Sequence, residues 1–158
     1  MNRLIEHREK RIVLILSLFF IVTPISFGQT AIRDKVCQGI ARNIWRNEFP
    51  EAIKKAEEII KIEKDNPVGH FLLGTIYQTI SEEFRTDRFR DQISDHLNRA
   101  IDLAGERAEV EPDNPDWAFI CGASYGYRAL HRAFHGNWFG AFGDGFKCSS
   151  NLKKAIKL

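Results

Sequence analysis

Apolar residues recur at helical spacing through the chain from about residue 32 onward, and the polar clusters between them mark boundaries. Between residues 32 and 47, Ile32, Val36, Ile40, Ile44 and Trp45 fall on one helical face, with Asp34 near the positive end of the helix dipole. Asn47-Glu48-Phe49-Pro50-Glu51 is a break, and Pro50, tolerated in a first helical turn, opens a second helix that ends near Ile62. Its apolar side is Ala52, Ile53, Ala56, Ile59 and Ile60, and the opposite side, Lys54, Lys55, Glu57, Glu58 and Lys61, reads as a solvated stripe. A third helix over 68–83 carries Phe71, Leu72, Leu73, Ile76, Tyr77 and Ile80. The charged stretch Ser81 to Asp91, with Glu82-Glu83 and Asp87-Arg88, reads as a solvated connector. The fourth helix resumes at Asp91 with Ile93, Leu97, Ala100, Ile101 and Ala104 and runs toward Val110. The fifth holds Trp117, Ala118, Ile120, Cys121, Tyr125, Leu130 and Phe134. Gly136-Asn137 is a turn, with Asn137 as N-cap of a last helix over 138–157. Gly140, Gly143 and Gly145 lie in the first half of that helix, each costing about 1 kcal/mol against alanine, which predicts close approach to a neighbouring helix as compensation. The pattern is therefore all-α: six helices in three antiparallel pairs, without a convincing strand.

One phrase occurs twice, as Asp65-Asn66-Pro67 and Asp113-Asn114-Pro115. A glycine follows seven residues after each proline (Gly74, Gly122) and a tyrosine ten after it (Tyr77, Tyr125). This internal repeat divides the chain into units of about 32–66, 67–114 and 115–158. Each helix pair alone exposes an apolar face, and stacking the pairs buries it. Leu73, Gly74 and Tyr77 in the second unit, and Cys121, Gly122 and Tyr125 in the third, resemble the tetratricopeptide repeat family, whose unit is two helices in about 34 residues. The first unit matches in its second half, through Ala52, Ala56 and Ile59, and departs from the pattern at Gly39, Ile40 and Asn43. The two phrases are 48 residues apart, so the second unit is the longer one, with the excess expected in its helices and in the 81–91 connection. The resemblance covers nearly all of residues 29–158. It implies a short solenoid of helical hairpins in which Gly74, Gly122, Tyr77 and Tyr125 serve helix packing.

The first 28 residues have a different character. Met1 to Arg11 is short and ends basic, Ile12 to Phe27 is uncharged and apolar, and Ser26-Phe27-Gly28 places small residues around a larger one. That is the pattern of a secretory signal peptide cleaved after Gly28, with an uncleaved anchor over 12–27 as the alternative. A periplasmic or secreted location follows from the first reading, and an inner-membrane anchor from the second. Residues 1–28 contain Arg3, Arg8, Lys10 and Arg11 against Glu6 and Glu9, so of 23 basic and 21 acidic side chains 19 of each remain beyond them. A balanced chain has no electrostatic reason to bind nucleic acid or an anionic membrane. Cys37, Cys121 and Cys148 all lie in apolar helical surroundings. Buried free thiols are the commoner state there, and a single disulfide with one thiol left over is the alternative in an oxidising compartment.

Little of the sequence carries chemistry. His131 and His135 have the i, i+4 spacing of two ligands to one metal, but no glutamate sits beside His131 and no third ligand is close in sequence. Asp144, in Gly-Asp-Gly, is flanked by phenylalanines where a calcium loop needs alternating oxygen donors, so it reads as helix interior or turn. There is no phosphate loop, dinucleotide fingerprint or nucleophile elbow. The expectation is a non-enzyme with no metal and no cofactor, with a metal-dependent enzyme built on His131 and His135 as the remote alternative. By the resemblance, ligands would lie along a concave face made by the first helix of each pair: Phe71, Thr75, Gln78 and Thr79, then Phe119, Ala123, Gly126 and Tyr127. These are apolar or uncharged, which points to a protein or peptide partner with an apolar segment. The aromatic stretch Phe134 to Phe146 has two readings: a packing face between the third unit and whatever follows it, or a sticky surface for a partner or a membrane interface, the partner including a second copy in a self-assembling structural subunit, and the lack of a basic polar face arguing against the membrane.

Overall fold

The computed structural model describes residues 35–158, and they form six helices with no strand among them. These are α1 (Lys35–Trp45), α2 (Phe49–Ile62), α3 (Pro67–Glu83), α4 (Arg90–Val110), α5 (Pro115–Phe134) and α6 (Trp138–Lys157). Each packs on its neighbours in the chain, and α3 also touches α5, so three helix pairs follow one another in a solenoid-like stack. The signal-peptide reading of 1–28, the anchor reading of 12–27, and Ile32 and Asp34 lie outside the described residues. No helix among those described is long and apolar enough to cross a membrane.

The repeated phrase sets the two inter-pair joints in the same way. Asn66 caps α3 by accepting from the Val68 N–H at 2.9 Å, and Asn114 caps α5 by accepting from the Asp116 N–H at 3.1 Å. Each asparagine also donates back to a glutamate three residues earlier, Asn66 to Glu63 and Asn114 to Glu111, both at 2.9 Å. Proline follows in both cases and occupies the first helical turn, where its missing N–H costs nothing. Asn137 caps α6 by accepting from Gly140 N–H at 2.9 Å. The preceding residue, Gly136, sits at φ 77°, a conformation that a residue with a Cβ adopts only with strain.

Two buried clusters hold the stack. One joins Ile40, Phe49, Ala52, Ala56, Leu73, Ile76 and Ile80 across α1, α2 and α3. The other joins Cys37, Val68, Ile101, Ala104, Ile120 and Cys121 across α1, α3, α4 and α5. Full burial of each large aliphatic chain contributes about 1.5–3 kcal/mol. The face of α1 is rotated from its expected position: Ile40 is buried and Ile44 partly so, but Cys37 replaces Val36, and Val36 and Trp45 are exposed. Four apolar residues at spacings of four overlook the drift of a 3.6-residue helix, which brings position 37 under the core in place of 36. All three cysteines are buried and none is in a disulfide.

Equivalent glycines let the pairs close. A Cβ on Gly74 would lie 2.8 Å from Leu97 Cγ, and one on Gly122 would lie 3.0 Å from Leu152 Cγ. In each case a glycine of the first helix meets a leucine of the second. The three glycines of α6 do not behave as expected. A Cβ at Gly143 or Gly145 would meet nothing within 4 Å, and one at Gly140 would meet only Asn137, its own cap. The close approach between α5 and α6 is made from the α5 side, by Gly122 and by Gly126, whose Cβ would lie 3.1 Å from Cys148 Sγ. The expected stripe on α2 is also partly engaged, because Lys55 Nζ donates to Asn43 Oδ1 at 2.7 Å and ties α2 to α1.

Candidate partner-binding face

The first helices of the second and third pairs lie side by side, and their residues meet directly. The rings of Phe71 on α3 and Tyr127 on α5 pack edge to face with centroids 5.8 Å apart. Phe71, Thr79, Phe119, Ala123 and Tyr127 are each partly open to solvent. Gly126 is partly open as well, and a Cβ there would lie 3.1 Å from Cys148 Sγ of α6, while Thr75 and Gln78 are buried. The threonine hydroxyls bond back along their own helix: Thr75 donates to the Leu72 carbonyl and Thr79 to the Thr75 carbonyl, each at 2.8 Å.

Glu82 belongs with this group, not with the solvated connector. It sits in the last turn of α3, where Gln78 Nε2 donates to its Oε1 at 3.0 Å, while Glu83 is exposed. Burial pushes the Glu82 carboxyl above its ordinary range, against the pull of the Gln78 hydrogen bond. The Tyr127 hydroxyl is raised by burial and by the nearby Glu82 charge. Gln78 Oε1 and Ser124 Oγ are buried and have no hydrogen-bond partner among the described residues. The i, i+4 spacing of Gln78 and Glu82 was the available sequence signal.

The basic and acidic groups of the last pair converge on Asp144. Arg128 donates Nε and Nη2 to its two carboxylate oxygens at 2.8 and 2.7 Å, and Arg132 Nη1 reaches Oδ2 at 2.8 Å. Arg128 also donates to Asn98 of α4. Asp144 is only 2% exposed, so this triad is an internal clamp. It agrees with the helix-interior reading of Asp144, and its two arginines were not anticipated.

The histidines pair without forming a metal centre. His131 and His135 have ring centroids 4.6 Å apart, and His135 Nε2 lies 4.0 Å from Asp87 Oδ1. Among the described residues no group of three or more His, Cys, Asp or Glu is placed to hold a metal ion. His70 and His96, on α3 and α4, approach to 3.1 Å between their Nδ1 atoms. Burial lowers the pKa of both, and proximity to His96 lowers His70 further. His131 is likewise lowered by burial and then by His135. For a base with a depressed folded pKa, the stability present above the unfolded value, roughly 6.5, is lost as pH falls toward the folded value. Thermal melts are therefore expected to be flat between about pH 7 and 8 and to decline below about pH 6.5. His70→Gln should flatten that decline, and an unchanged acid limb would show that the pair contributes nothing.

No protein-family model, curated protein or solved structure matches this chain.

Proposed function

We propose that this protein is an exported, non-enzymatic helical-repeat scaffold of the cell envelope, akin to the tetratricopeptide repeat family, that binds another protein. The observation that carries the reading is the strip shared by α3 and α5, where the Phe71 and Tyr127 rings meet at 5.8 Å with Phe119, Ala123 and Thr79 partly open beside them. A strip of aromatic edges and small uncharged residues suits an apolar segment of a partner better than a charged ligand. Glu82 at one end adds a half-buried acid that an approaching cationic or amide group would satisfy. The amino-terminal pattern of residues 1–28 supports export, and N-terminal sequencing of recovered protein tests it: a chain still beginning at Met1 refutes cleavage.

The direct test is the double substitution Phe71→Ala with Phe119→Glu. Both side chains are partly open, so the far-ultraviolet circular dichroism spectrum should stay helical. Partner capture from envelope extract should fall at least about tenfold, equivalent to losing about 1.4 kcal/mol of contact. A folded double variant that captures the same partners equally well would remove this face from consideration.

A further inference from the structure

The outward side of α6 has the composition of an interface and a size pattern that fits itself. Asp144, Cys148 and Ala155 define the buried side of this helix. Opposite them stand Phe139, Phe142, Phe146, Ser150 and Lys153. Trp138, Phe139, Phe142 and Phe146 are 67, 96, 71 and 66% exposed. Together they equal about three wholly exposed aromatic side chains, which at ~200 Å² each is roughly 600 Å² on one helix. Monomeric proteins rarely leave a larger contiguous apolar patch than this uncovered. Two such faces pressed together bury about 1,200 Å² before any flanking contact, the lower end of the range for stable, specific association.

Small residues separate the rings. Gly143, Gly145, Ser149 and Ser150 lie between or beyond them, and a Cβ at Gly143 or Gly145 would meet nothing of its own chain. Phe142 and Phe146 are already set edge to face, with centroids 4.9 Å apart, so this part of the surface is preformed. Consider a second copy related by a twofold axis through the middle of α6, between Asp144 and Gly145. Phe146 of each copy then lies over Gly143 of the other, and Phe139 lies over Ser150. Phe146 and Phe139 thus each meet a small residue, the same axis sets Phe142 opposite Lys147, and every pairing is reciprocal, as an isologous contact requires.

Charge selects the same direction. Every exposed charge on α6 is a lysine: Lys147, Lys153, Lys154 and Lys157. Parallel helices would set like lysines side by side. Antiparallel helices set the two Lys153 residues about 25 Å apart at 1.5 Å rise per residue, well beyond the ~8 Å screening length, and the two Lys147 residues, about 8 Å apart along the axis, are held over Tyr125 of their own copies. They also place the lysine-rich end of each helix beside the aromatic end of the other, where cation–π attraction is available.

The geometry points to a twofold-symmetric, antiparallel dimer of this chain formed through α6, with Phe146 seated on Gly143 of the second copy and Phe139 on its Ser150. This contact is separate from the α3–α5 strip and leaves it open for a different partner.

Sedimentation of the purified protein between about 1 and 100 µM tests the proposal, since interfaces at this end of the size range associate weakly. The wild type should pass from monomer to dimer across that range. Gly143→Leu should weaken the dimer at least tenfold while the protomer keeps its circular dichroism and melting temperature, because the position is open within the chain. Phe146→Ser should act alike and serves if the leucine variant fails to fold. Phe139→Cys combined with Ser150→Cys should give a covalent dimer on mild oxidation that neither single substitution gives. Within one copy the two positions are about 16 Å apart along the helix, too far for a bridge. A wild type that stays monomeric at the highest concentration, a dimer indifferent to both interface variants, or a monomer that places these rings in lipid vesicles would each overturn the proposal.

Discussion

Asp144→Ala is expected to destabilise the protein by about 3–5 kcal/mol, because it leaves the well-buried Arg128 guanidinium without its bidentate partner. Arg132 is more exposed and adds the smaller share. The gain in helix propensity from alanine returns only about 0.5 kcal/mol. The melting temperature should fall by about 10–15 °C, and raised salt should restore little of it, since the pair is screened from solvent. Replacing the whole triad by apolar residues, as Arg128→Met, Arg132→Leu and Asp144→Leu, should recover most of the loss. A single variant that melts within about 2 °C of wild type would mean that the triad is not closed in solution.

Gly74→Val is expected to cost about 3 kcal/mol, and Gly145→Ala to gain up to about 1 kcal/mol. Both are glycines inside helices, and the difference is their surroundings. A Cβ at Gly74 meets the Leu97 branch at 2.8 Å, in a core where Leu97 has no room to retreat, whereas a Cβ at Gly145 meets nothing. Valine adds two further methyl groups to the clash and a β-branched chain to the helix. Chemical denaturation of the two variants checks the pair of signs. Equal effects at the two positions would deny that Gly74 is a contact point between α3 and α4.

These two sites also show what was legible in the sequence. Helix limits were, because Pro67 and Pro115 each follow an asparagine that caps the helix, and such signals are local. The extra length of the second unit went where it was expected, into the 21-residue α4 and the turn before it. Gly74 and Gly122 were assigned to packing from their place in the repeat, and both meet a leucine of the following helix. The glycines of α6 were misassigned, since glycine in a helix says that a side chain is missing and not what takes its place. The Arg128–Asp144–Arg132 clamp was not legible, because a pairing between helices depends on their rotation and register. Glu82 was hidden by its neighbour: adjacent glutamates read as one charged run, but successive helical positions point about 100° apart, and here one turns inward and the other outward. Of the eight residues expected on the partner face, six are partly open and two, Thr75 and Gln78, are buried.

The joints at Asn66 and Asn114 carry a consequence for how the molecule yields. Contacts among the described helices run from each to the next, with α3 and α5 as the further link, and both joints are fastened by the same Glu–Asn–cap chain. Such a linear array comes apart from its ends and not all at once. The α1 end is held by the two shortest helices and the apolar cluster around Ile40 and Phe49, whereas α5 and α6 are longer and add a buried ionic clamp. Heat or pulling force would release the amino-terminal pair first and leave the carboxy-terminal pair folded as the last surviving piece.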